Sequence, residues 1–204
     1  MSGPQPHTTD DLGHFVKGWI RNPLAIGALA PSGKSLAKLM AKDVGTGCRV
    51  VELGAGTGTV TAALLANGVA AEDLHLVERD PQFVKILKRR FPRCQVVAAD
   101  ALELDQQLEA TAGFDFVVSG LPLLCFSPDK RYRALQQALQ FLKPRGRLHQ
   151  FTYGGRCPID RDVRAQLRLE SVLLGIAALN LPPGFVYRFT QRPLAHPSPW
   201  RELR

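Results

Sequence analysis

The sequence predicts an α/β fold in which helices cover both faces of a seven-stranded, mostly parallel sheet. Two observations predict it. Between residues 49 and 152, short apolar segments typical of buried strands alternate with segments of helical periodicity, and this alternation indicates a parallel sheet. The last two strand-like segments are joined by Pro182-Pro183-Gly184. That link is too short for a parallel crossover, so the last strand should be antiparallel.

The first predicted element is an amphipathic helix over residues 10–21, which Asn22-Pro23 ends because a residue before proline avoids helical backbone. Its apolar residues recur at the spacing of one helix face; they are Leu12, Phe15, Val16, Trp19 and Ile20. The predicted strands are 49–53, 74–78, 95–99, 114–118, 146–152, 168–181 and 185–191. The predicted helices that accompany them are 31–41, 59–66, 81–91 and 129–142.

The composition is that of a globular protein. The 204 residues fit one domain, with 1–30 as an N-terminal helix and loop and 31–191 as the core. No uncharged apolar run approaches the ~18 residues of a membrane span, and the polar start of the chain is unlike a secretory signal. Four cysteines without a CxxC pair predict free thiols in the cytoplasm and no metal site. The net charge of +8 predicts an anionic partner: nucleic acid, a membrane surface or an acidic small molecule.

The strongest motif is Val50-Val-Glu-Leu-Gly-Ala-Gly-Thr-Gly-Thr59, a strand that enters a glycine-rich turn and then a helix. Its glycines allow a sharp turn and close backbone approach to a ligand; they are Gly54, Gly56 and Gly58. Glu78 ends the next strand, where an acid can accept the ribose hydroxyls, and Asp100 follows the third strand, where a carboxylate can bond an adenine amine. Together these features favour an adenosine-containing cofactor over a purely structural turn.

The glycine spacing separates two classes of cofactor. Dinucleotide-binding turns read G-x-G-x-x-G, whereas these glycines run G-x-G-x-G and follow Glu52. A pyrophosphate binds best at a helix N-terminus without neighbouring negative charge, so Glu52 favours a cofactor that carries an amine. The string E-x-G-x-G-x-G resembles the motif that binds S-adenosylmethionine (SAM) in class I methyltransferases.

The loop Ser119-Gly-Leu-Pro122 after the fourth strand is the second candidate site, with a strand-ending turn as the alternative. It should lie beside the methyl group. Methyltransferases of base amines resemble one another in [DNS]-[LP]-P-[YFW] at this place, where the aromatic residue stacks on a flipped-out base. Leu123 follows Pro122 instead, which disfavours a nucleobase substrate. Asn180-Leu-Pro-Pro183 looks similar but follows the fifth strand, so we expect no such role for it.

Almost the whole chain resembles the bacterial phospholipid N-methyltransferases, which methylate phosphatidylethanolamine toward phosphatidylcholine. The SAM motif is common to many families, and the other segments are more specific. The matching segments are Phe15-Val-Lys-Gly-Trp-Ile-Arg-Asn-Pro23, Gly27-Ala-Leu-Ala-Pro-Ser32, Val51-Glu-Leu-Gly-Ala-Gly-Thr-Gly58, Ser119-Gly-Leu-Pro122, Gln150-Phe-Thr-Tyr-Gly154, Asn180-Leu-Pro-Pro183 and Val186-Tyr-Arg-Phe189. Gly33 departs from the family pattern, in which a second small polar residue follows Ser32.

The resemblance implies a Rossmann-like class I methyltransferase fold, SAM as the methyl donor and a lipid substrate at a membrane. The expected cofactor-binding residues are Pro31, Ser32, Glu52, Gly54, Ala55, Gly56, Thr57, Gly58, Glu78, Arg79, Asp100, Ala101, Leu102 and Ser119. The expected catalytic residues are Ser119, Gly120, Leu121, Pro122 and Tyr153. Tyr153 ends the fifth strand at the ligand edge of the sheet, and a buried core phenol is the alternative for it.

The N-terminal helix has two interpretations. Its apolar face can pack on the core of the domain, or Phe15 and Trp19 can enter a membrane interface with Lys17 and Arg21 beside anionic lipid. The resemblance favours the membrane, and therefore a cytoplasmic protein bound peripherally to the inner face of the cell membrane.

The predicted reaction is N-methylation of phosphatidylethanolamine, continued to the tertiary and quaternary amine. An rRNA adenine dimethylase would explain the positive charge, but Leu123 and the lack of a C-terminal helical domain disfavour it, so nucleic acid is not the expected partner. A SAM-binding peripheral membrane protein without turnover is the third possibility.

Overall fold

The computed structural model describes residues 31–104, 113–153, 155–178, 180 and 182–192. The predicted N-terminal helix, with Phe15, Lys17, Trp19 and Arg21, lies outside the described residues. The helices are α1 (Pro31–Met40), α2 (Thr59–Ala66), α3 (Pro81–Arg90), α4 (Pro128–Gln140) and α5 (Arg161–Gln166). The strands are β1 (Val50–Leu53), β2 (Leu74–Glu78), β3 (Gln95–Ala98), β4 (Phe114–Ser119), β5 (Leu142–Tyr153), β6 (Leu169–Ala177) and β7 (Gly184–Gln191).

The strands form one seven-stranded sheet in the order β3-β2-β1-β4-β5-β7-β6. Strands β1 to β5 pair in parallel, and β7 pairs antiparallel with both β5 and β6. The predicted mostly parallel sheet with an antiparallel last strand is confirmed. Because β7 lies between β5 and β6, strand β6 stands at the edge of the sheet, next to β7 alone in the described part of the chain.

Apolar layers cover both faces of the sheet. One face buries Met40 of α1, Leu64 of α2 and Leu87 of α3. The other face buries Leu135 and Leu139 of α4. Each fully buried leucine or methionine of this kind contributes about 1.5–3 kcal/mol to stability. With both faces covered, the carboxyl edge of the parallel strands is the place for a ligand.

One boundary between helix and strand differs from the prediction. Helix α4 ends at Gln140, and β5 begins at Leu142, four residues before the predicted start at 146. The strand starts early because Leu142 pairs with Phe114 of β4. A register shift and the positive φ of Arg145, 67°, carry the strand past Pro144. Pairing with β4 therefore extends the strand through a proline, a residue that strands usually exclude.

The second difference lies after β5. Helix α5, six residues long, was not predicted, because so short a helix has little periodicity to detect. Strand β6 ends at Ala177, short of the predicted 181. It ends there because the backbone N–H of Asn180 donates a hydrogen bond to the Ala177 carbonyl at 3.1 Å, which turns the chain. Asn180 and Pro182 thus lie in the link between β6 and β7, at the carboxyl edge of the sheet.

Two further expectations concern side chains and helix length. The four cysteines carry free thiols, as predicted. The longest described helix, α4, has 13 residues, and no described helix combines the length and the hydrophobicity that crossing a bilayer requires.

Candidate active site

A cavity of about 700 Å³ runs along the carboxyl edge of the parallel strands. One end is bounded by the turn after β1 and by the ends of β2 and β3; we call it the cofactor half. The other end is bounded by the loop after β4, the end of β5 and the link between β6 and β7; we call it the acceptor half. Helix α1 contributes Leu36, Ala37 and Met40 to the wall. Neighbouring strands lie ~4.8 Å apart, so the steps from β3 to β5 span about 19 Å, which is enough for a nucleoside and a second ligand.

The glycine turn is tied to strand β2. The N–H groups of Gly54 and Ala55 donate to the Val77 carbonyl at 2.9 and 3.2 Å. All three glycines have positive φ, 72° at Gly54, 55° at Gly56 and 82° at Gly58. A Cβ atom on Gly56 would meet nothing within 4 Å, so a ligand can approach the backbone there.

Gly58 has a different role from the other glycines of the turn. It precedes α2 as the N-cap residue and does not line the cavity. A Cβ atom at this position would overlap the Phe91 ring after α3. Gly58 therefore permits close packing between the turn and α3, whereas its predicted contact with the cofactor stays a prediction.

Glu78 is held by the backbone of two loops. Its side chain accepts hydrogen bonds from the N–H groups of Gly56 (2.9 Å), Arg79 (2.8 Å) and Asp80 (2.9 Å). The residue is 8% exposed and lines the cavity. A carboxylate has about four lone-pair sites, so one remains for a ligand hydroxyl. Glu78 thus fixes the turn as well as offering an acceptor at the predicted ribose position.

Glu52 is a buried acid at the floor of the cofactor half. It is 2% exposed, and its Oε2 accepts a hydrogen bond from the Thr61 hydroxyl at 2.6 Å. Burial raises the pKa of Glu52 to about 8, with a smaller rise from the charge of Glu78 and an opposing effect of the Thr61 hydrogen bonds. The side chain is therefore mostly protonated at neutral pH, and a cationic amine beside it would favour the ionised form.

The end of β3 completes the cofactor half. Asp100 Oδ1 accepts from the Leu102 N–H at 3.0 Å, and Asp100 Oδ2 lies 3.5 Å from the Arg79 guanidinium. Asp100, Arg79, Ala101 and Leu102 all line the cavity, together with the Phe83 ring of α3. This arrangement gives a polar acceptor between apolar walls, which matches the requirements of an adenine.

The acceptor loop after β4 contacts the glycine turn through its backbone. The Gly120 N–H donates to the Leu53 carbonyl at 2.8 Å, and a Cβ atom on Gly120 would come within 2.9 Å of the Gly54 carbonyl oxygen. Gly120, Leu121 and Pro122 line the cavity. The two loops are thus in direct backbone contact, where a larger residue has no room.

Ser119 lies beneath that loop. It is 2% exposed and is absent from the cavity lining, and its Oγ accepts a hydrogen bond from the Leu121 N–H at 3.3 Å. Gln150 of β5, opposite Ser119 in the sheet, donates from Nε2 to the Leu121 carbonyl at 2.8 Å. Both side chains therefore shape the loop from below, whereas a direct contact of Ser119 with ligand stays a prediction.

Tyr153 and Asn180 form the far wall of the acceptor half. Tyr153 lines the cavity and is 7% exposed; burial raises its pKa, and a hydrogen bond with the Asn180 side chain opposes that rise. The phenol is therefore neutral at physiological pH. Asn180 also lines the cavity, although it is not among the predicted site residues. It lies there because Gly184, the first residue of β7, pairs with Tyr153. The signal that could have found it was the match of Asn180-Leu-Pro-Pro183 to the lipid methyltransferase family.

His149 lies under the acceptor half in β5. It is fully buried, and its Nδ1 lies 2.9 Å from the Met40 carbonyl oxygen, so the neutral imidazole donates there. Burial lowers the pKa of His149 to about 4, and Arg188 and Arg147 add to that effect while the hydrogen bond to Met40 and the charge of Asp43 oppose it. His149 is therefore a packed residue of the core and not a group that reaches the cavity.

The first candidates of the chain are described only in part. Pro31 and Ser32 begin α1, but their side chains lie outside the described residues. Gly33, the next residue, lines the cavity. Their predicted roles near the cofactor remain predictions.

The described residues fit SAM. Glu78 and Asp100 offer acceptors to a nucleoside, Gly56 leaves open space beside the turn, and Glu52 presents a buried acid whose charge a cationic amine would stabilise. The cofactor half therefore has the donor and acceptor set that an amine-bearing adenosine compound requires.

Comparisons with known proteins agree with this geometry. A family model described as a methyltransferase domain matches residues 50–146, from β1 into β5. The chain is 33% identical over 186 residues to the ornithine lipid N-methyltransferase of Singulisphaera acidiphila, and the match covers 85% of this chain and 92% of that protein.

Two solved structures share the fold. The 1,6-didemethyltoxoflavin-N1-methyltransferase of Burkholderia thailandensis, with bound S-adenosylhomocysteine, has a TM-score of 0.64 at 16% identity and covers 95% of this chain and 94% of its own. The magnesium protoporphyrin IX methyltransferase of Synechocystis PCC 6803, with bound SAM, has a TM-score of 0.62 at 12% identity and covers 93% of this chain and 100% of its own. The chain therefore belongs to the class I methyltransferases that use SAM, in the same family as the lipid N-methyltransferase.

Proposed function

We propose that this enzyme methylates the primary amine of a membrane lipid, with phosphatidylethanolamine as the predicted substrate. The observation that carries the proposal is the 33% identity, over most of both chains, to an enzyme named for N-methylation of an ornithine lipid. Phosphatidylethanolamine and ornithine lipids share the relevant chemistry, since each joins a free amine and an anionic group to acyl chains. Ornithine lipid is accordingly the second candidate substrate.

The residues of the cavity act mainly by position. SAM supplies a methyl group on a sulfonium sulfur, which keeps the electron pair of the broken S–C bond while the amine nitrogen forms the new N–C bond. Holding the reacting atoms in line at ~3–3.5 Å can contribute ~7–11 kcal/mol to lowering the barrier. Glu78 and Asp100 hold the nucleoside, and the Gly120 loop and Tyr153 hold the amine. The amine loses one proton to water or to the lipid phosphate, so no side chain has to act as a base.

The walls of the cavity support a lipid amine over a nucleobase. Leu123, which stands where base-amine methyltransferases have their stacking aromatic residue, is 3% exposed and does not line the cavity. Leu36 and Met40 give the wall an apolar surface, and Lys130 adds a cation to the lining. An amphipathic substrate with an anionic group fits this combination, whether that group is a phosphate or a carboxylate.

Incubation of the purified enzyme with radiolabelled SAM tests the proposal. Vesicles of phosphatidylethanolamine, vesicles of ornithine lipid and ribosomal RNA serve as parallel acceptors. We expect label in the lipid fraction, with phosphatidylethanolamine preferred. Label in ornithine lipid alone would correct the predicted substrate, and label in RNA would overturn the proposal. SAM binding without label in any acceptor would favour a protein without turnover.

The membrane contact is a separate part of the proposal. We propose that Phe15 and Trp19 enter the bilayer and that Lys17 and Arg21 bind anionic lipid, so the enzyme works at the inner face of the cell membrane. An aromatic residue that is buried this way contributes about 1.5–3 kcal/mol, and each basic residue near an anionic surface adds about 1 kcal/mol. Binding should therefore be reversible and sensitive to salt.

Vesicle co-sedimentation tests the membrane contact. We expect Trp19→Ala to pellet less with anionic vesicles than the wild type, while Trp200→Ala, which changes the other tryptophan of the chain, pellets normally. If Trp19→Ala pellets as efficiently as the wild type, the apolar stripe packs on the protein core and the membrane assignment is wrong.

A further inference from the structure

Asn180 is a buried polar residue that the reaction described above does not use. It lies in the link between β6 and β7, where its backbone N–H donates to the Ala177 carbonyl at 3.1 Å. The residue is 7% exposed and lines the acceptor half of the cavity beside Tyr153 and Pro182. Its Oδ1 atom is buried and has no hydrogen-bond partner in the part of the chain that the structure describes.

The amide of Asn180 has one end engaged and one end open. Its side chain forms a hydrogen bond with Tyr153, and because Oδ1 has no partner among the described residues, the amide Nδ2 donates that bond to the Tyr153 oxygen. The amide oxygen is left as an acceptor without a donor. A buried acceptor in that state destabilises the fold, so each such group calls for an explanation.

The position of Asn180 along the sheet excludes a contact with the nucleoside. Gly184, which follows the link, pairs with Tyr153 at the end of β5. Asp100 follows β3, which is four strands from β5 in the order β3-β2-β1-β4-β5. At ~4.8 Å per strand, the two residues are separated by about 19 Å. The amine of SAM is expected beside Glu52 of β1, which lies two strands from β5. The donor left for Asn180 is therefore the amine of the methyl acceptor.

We propose that Asn180 Oδ1 is the hydrogen-bond acceptor for the amine of the lipid substrate. This inference rests on the proposed function, because the group that binds to Asn180 is the amine of the proposed lipid substrate. A neutral primary amine has two N–H bonds, a secondary amine has one and a tertiary amine has none. While the nitrogen lone pair points at the methyl group, an N–H points at Oδ1. The third methylation has no N–H to offer, so it proceeds without this contact.

Asn180 therefore separates the steps of the reaction. It orients the amine for the first and second methyl transfers, in which the new N–C bond forms, the S–C bond breaks and one proton leaves nitrogen for solvent. It contributes nothing to the third transfer, whose amine carries no proton. A residue that merely supports the fold would affect all three transfers alike.

The test compares wild type, Asn180→Ala, Asn180→Asp and the control Asn67→Ala. The control also removes a structural amide, because Asn67 Nδ2 donates to the Ala41 carbonyl at 2.7 Å, away from the acceptor half. The substrates are phosphatidylethanolamine and its N-monomethyl and N,N-dimethyl forms in mixed micelles, or the equivalent ornithine lipids if the wild type prefers those. Initial rates are measured for each, with the affinity for SAM from calorimetry.

We expect Asn180→Ala to slow the first and second transfers about tenfold, to leave the third within twofold and to bind SAM normally. Asn180→Asp, which keeps an acceptor oxygen, should recover much of the first step. Equal loss in all three steps, as expected of Asn67→Ala, or loss of SAM binding would overturn the inference. If Asn180→Ala does not fold, the rates of Asn180→Asp in the three transfers replace it as the test. A loss of rate that is largest in the third transfer would contradict the inference. Failure of the wild type to methylate any aminolipid would instead overturn the proposed function.

Discussion

The two halves of the cavity differ in how their polar groups are satisfied. In the cofactor half, Glu78 accepts three backbone N–H bonds and Asp100 accepts one, so the acids are fixed before a ligand arrives. In the acceptor half, the side-chain oxygen of Asn180, which lines the cavity, is buried without a partner among the described residues. The comparison indicates a rigid site for a constant ligand beside a site whose hydrogen bonds are completed by the substrate.

Gly120→Ala should have the largest effect, because it disturbs both halves together. The new Cβ atom would meet the Gly54 and Leu53 carbonyl oxygens at 2.9 and 3.3 Å, and backbone atoms cannot swing aside as side chains do. We expect a loss of stability of about 1–3 kcal/mol and a fall in kcat of about 100-fold, as a 1 Å misplacement can produce. Gly47→Ala is the control for backbone strain without a clash: its Cβ meets nothing within 4 Å, but its φ of 78° disfavours alanine, so it should lose stability and keep a near-normal kcat. Urea denaturation and a methylation assay check both values, and near-normal kcat in Gly120→Ala would show that the loops move independently.

Glu78→Ala should damage the cofactor half selectively. It removes the acceptor of three backbone N–H groups as well as the predicted ribose acceptor. Because a hydrogen bond to a charged group contributes about 1.5–3 kcal/mol, we expect SAM affinity to fall tenfold or more in calorimetry. Glu72→Ala, at an exposed residue paired with Arg93 outside the cavity lining, should bind SAM normally. Unchanged SAM affinity in Glu78→Ala would mean that the ribose lies elsewhere.

Tyr153→Phe should affect the acceptor half alone, and its effect should be smaller than that of Glu78→Ala. The change removes the hydroxyl that bonds to Asn180, and one neutral hydrogen bond of about 0.5–1.5 kcal/mol predicts a roughly two- to tenfold fall in turnover. SAM affinity should stay within twofold. Tyr187→Phe is the control, because that hydroxyl donates to the Gly155 carbonyl and Tyr187 does not line the cavity. Unchanged rate and unchanged methyl number in Tyr153→Phe would remove it from the site.

The smallest effect is the net pH dependence of stability between pH 4.5 and 6.5, because the two halves contribute to it with opposite signs. The pKa of Glu52 is raised from its ordinary value of 4.5 to about 8. Its contribution to the free energy of unfolding is therefore complete below pH 4.5 and is lost as the pH rises to 8. The pKa of His149 is lowered from its ordinary value of 6.5 to about 4. Its contribution to the free energy of unfolding is therefore complete above pH 6.5 and is lost as the pH falls to 4. Between pH 4.5 and 6.5 the two slopes oppose each other and largely cancel.

Urea denaturation from pH 4 to 9 checks this cancellation. The difference in unfolding free energy between wild type and Glu52→Gln should fall as pH rises from 4.5 to 8, at no more than about 1.4 kcal/mol per pH unit. The difference between wild type and His149→Gln should fall as pH drops from 6.5 to 4. A flat difference for Glu52→Gln would show that the acid is ionised in the folded protein at neutral pH.

The cofactor half was largely predictable from the sequence, because each of its parts is local. The strand, glycine turn and helix are contiguous, and Glu78 and Asp100 directly follow apolar strands. The acceptor half was predicted only where it follows a parallel strand, at Gly120 and Tyr153. Asn180 was missed because β7 inserts between β5 and β6, which brings residue 180 beside residue 153 through pairing that no local pattern encodes.

The insertion of β7 also sets an order of assembly during synthesis. The cofactor half is built on β1 to β3, which end at Ala98, so the segment that carries it leaves the ribosome first. Strand β6 emerges next but has to wait, because its described partner is β7, which spans Gly184–Gln191. Only when β7 has paired with both neighbours does the link with Asn180 close against Tyr153. The nascent chain can therefore form its nucleoside site before it has a place for the molecule that receives the methyl group.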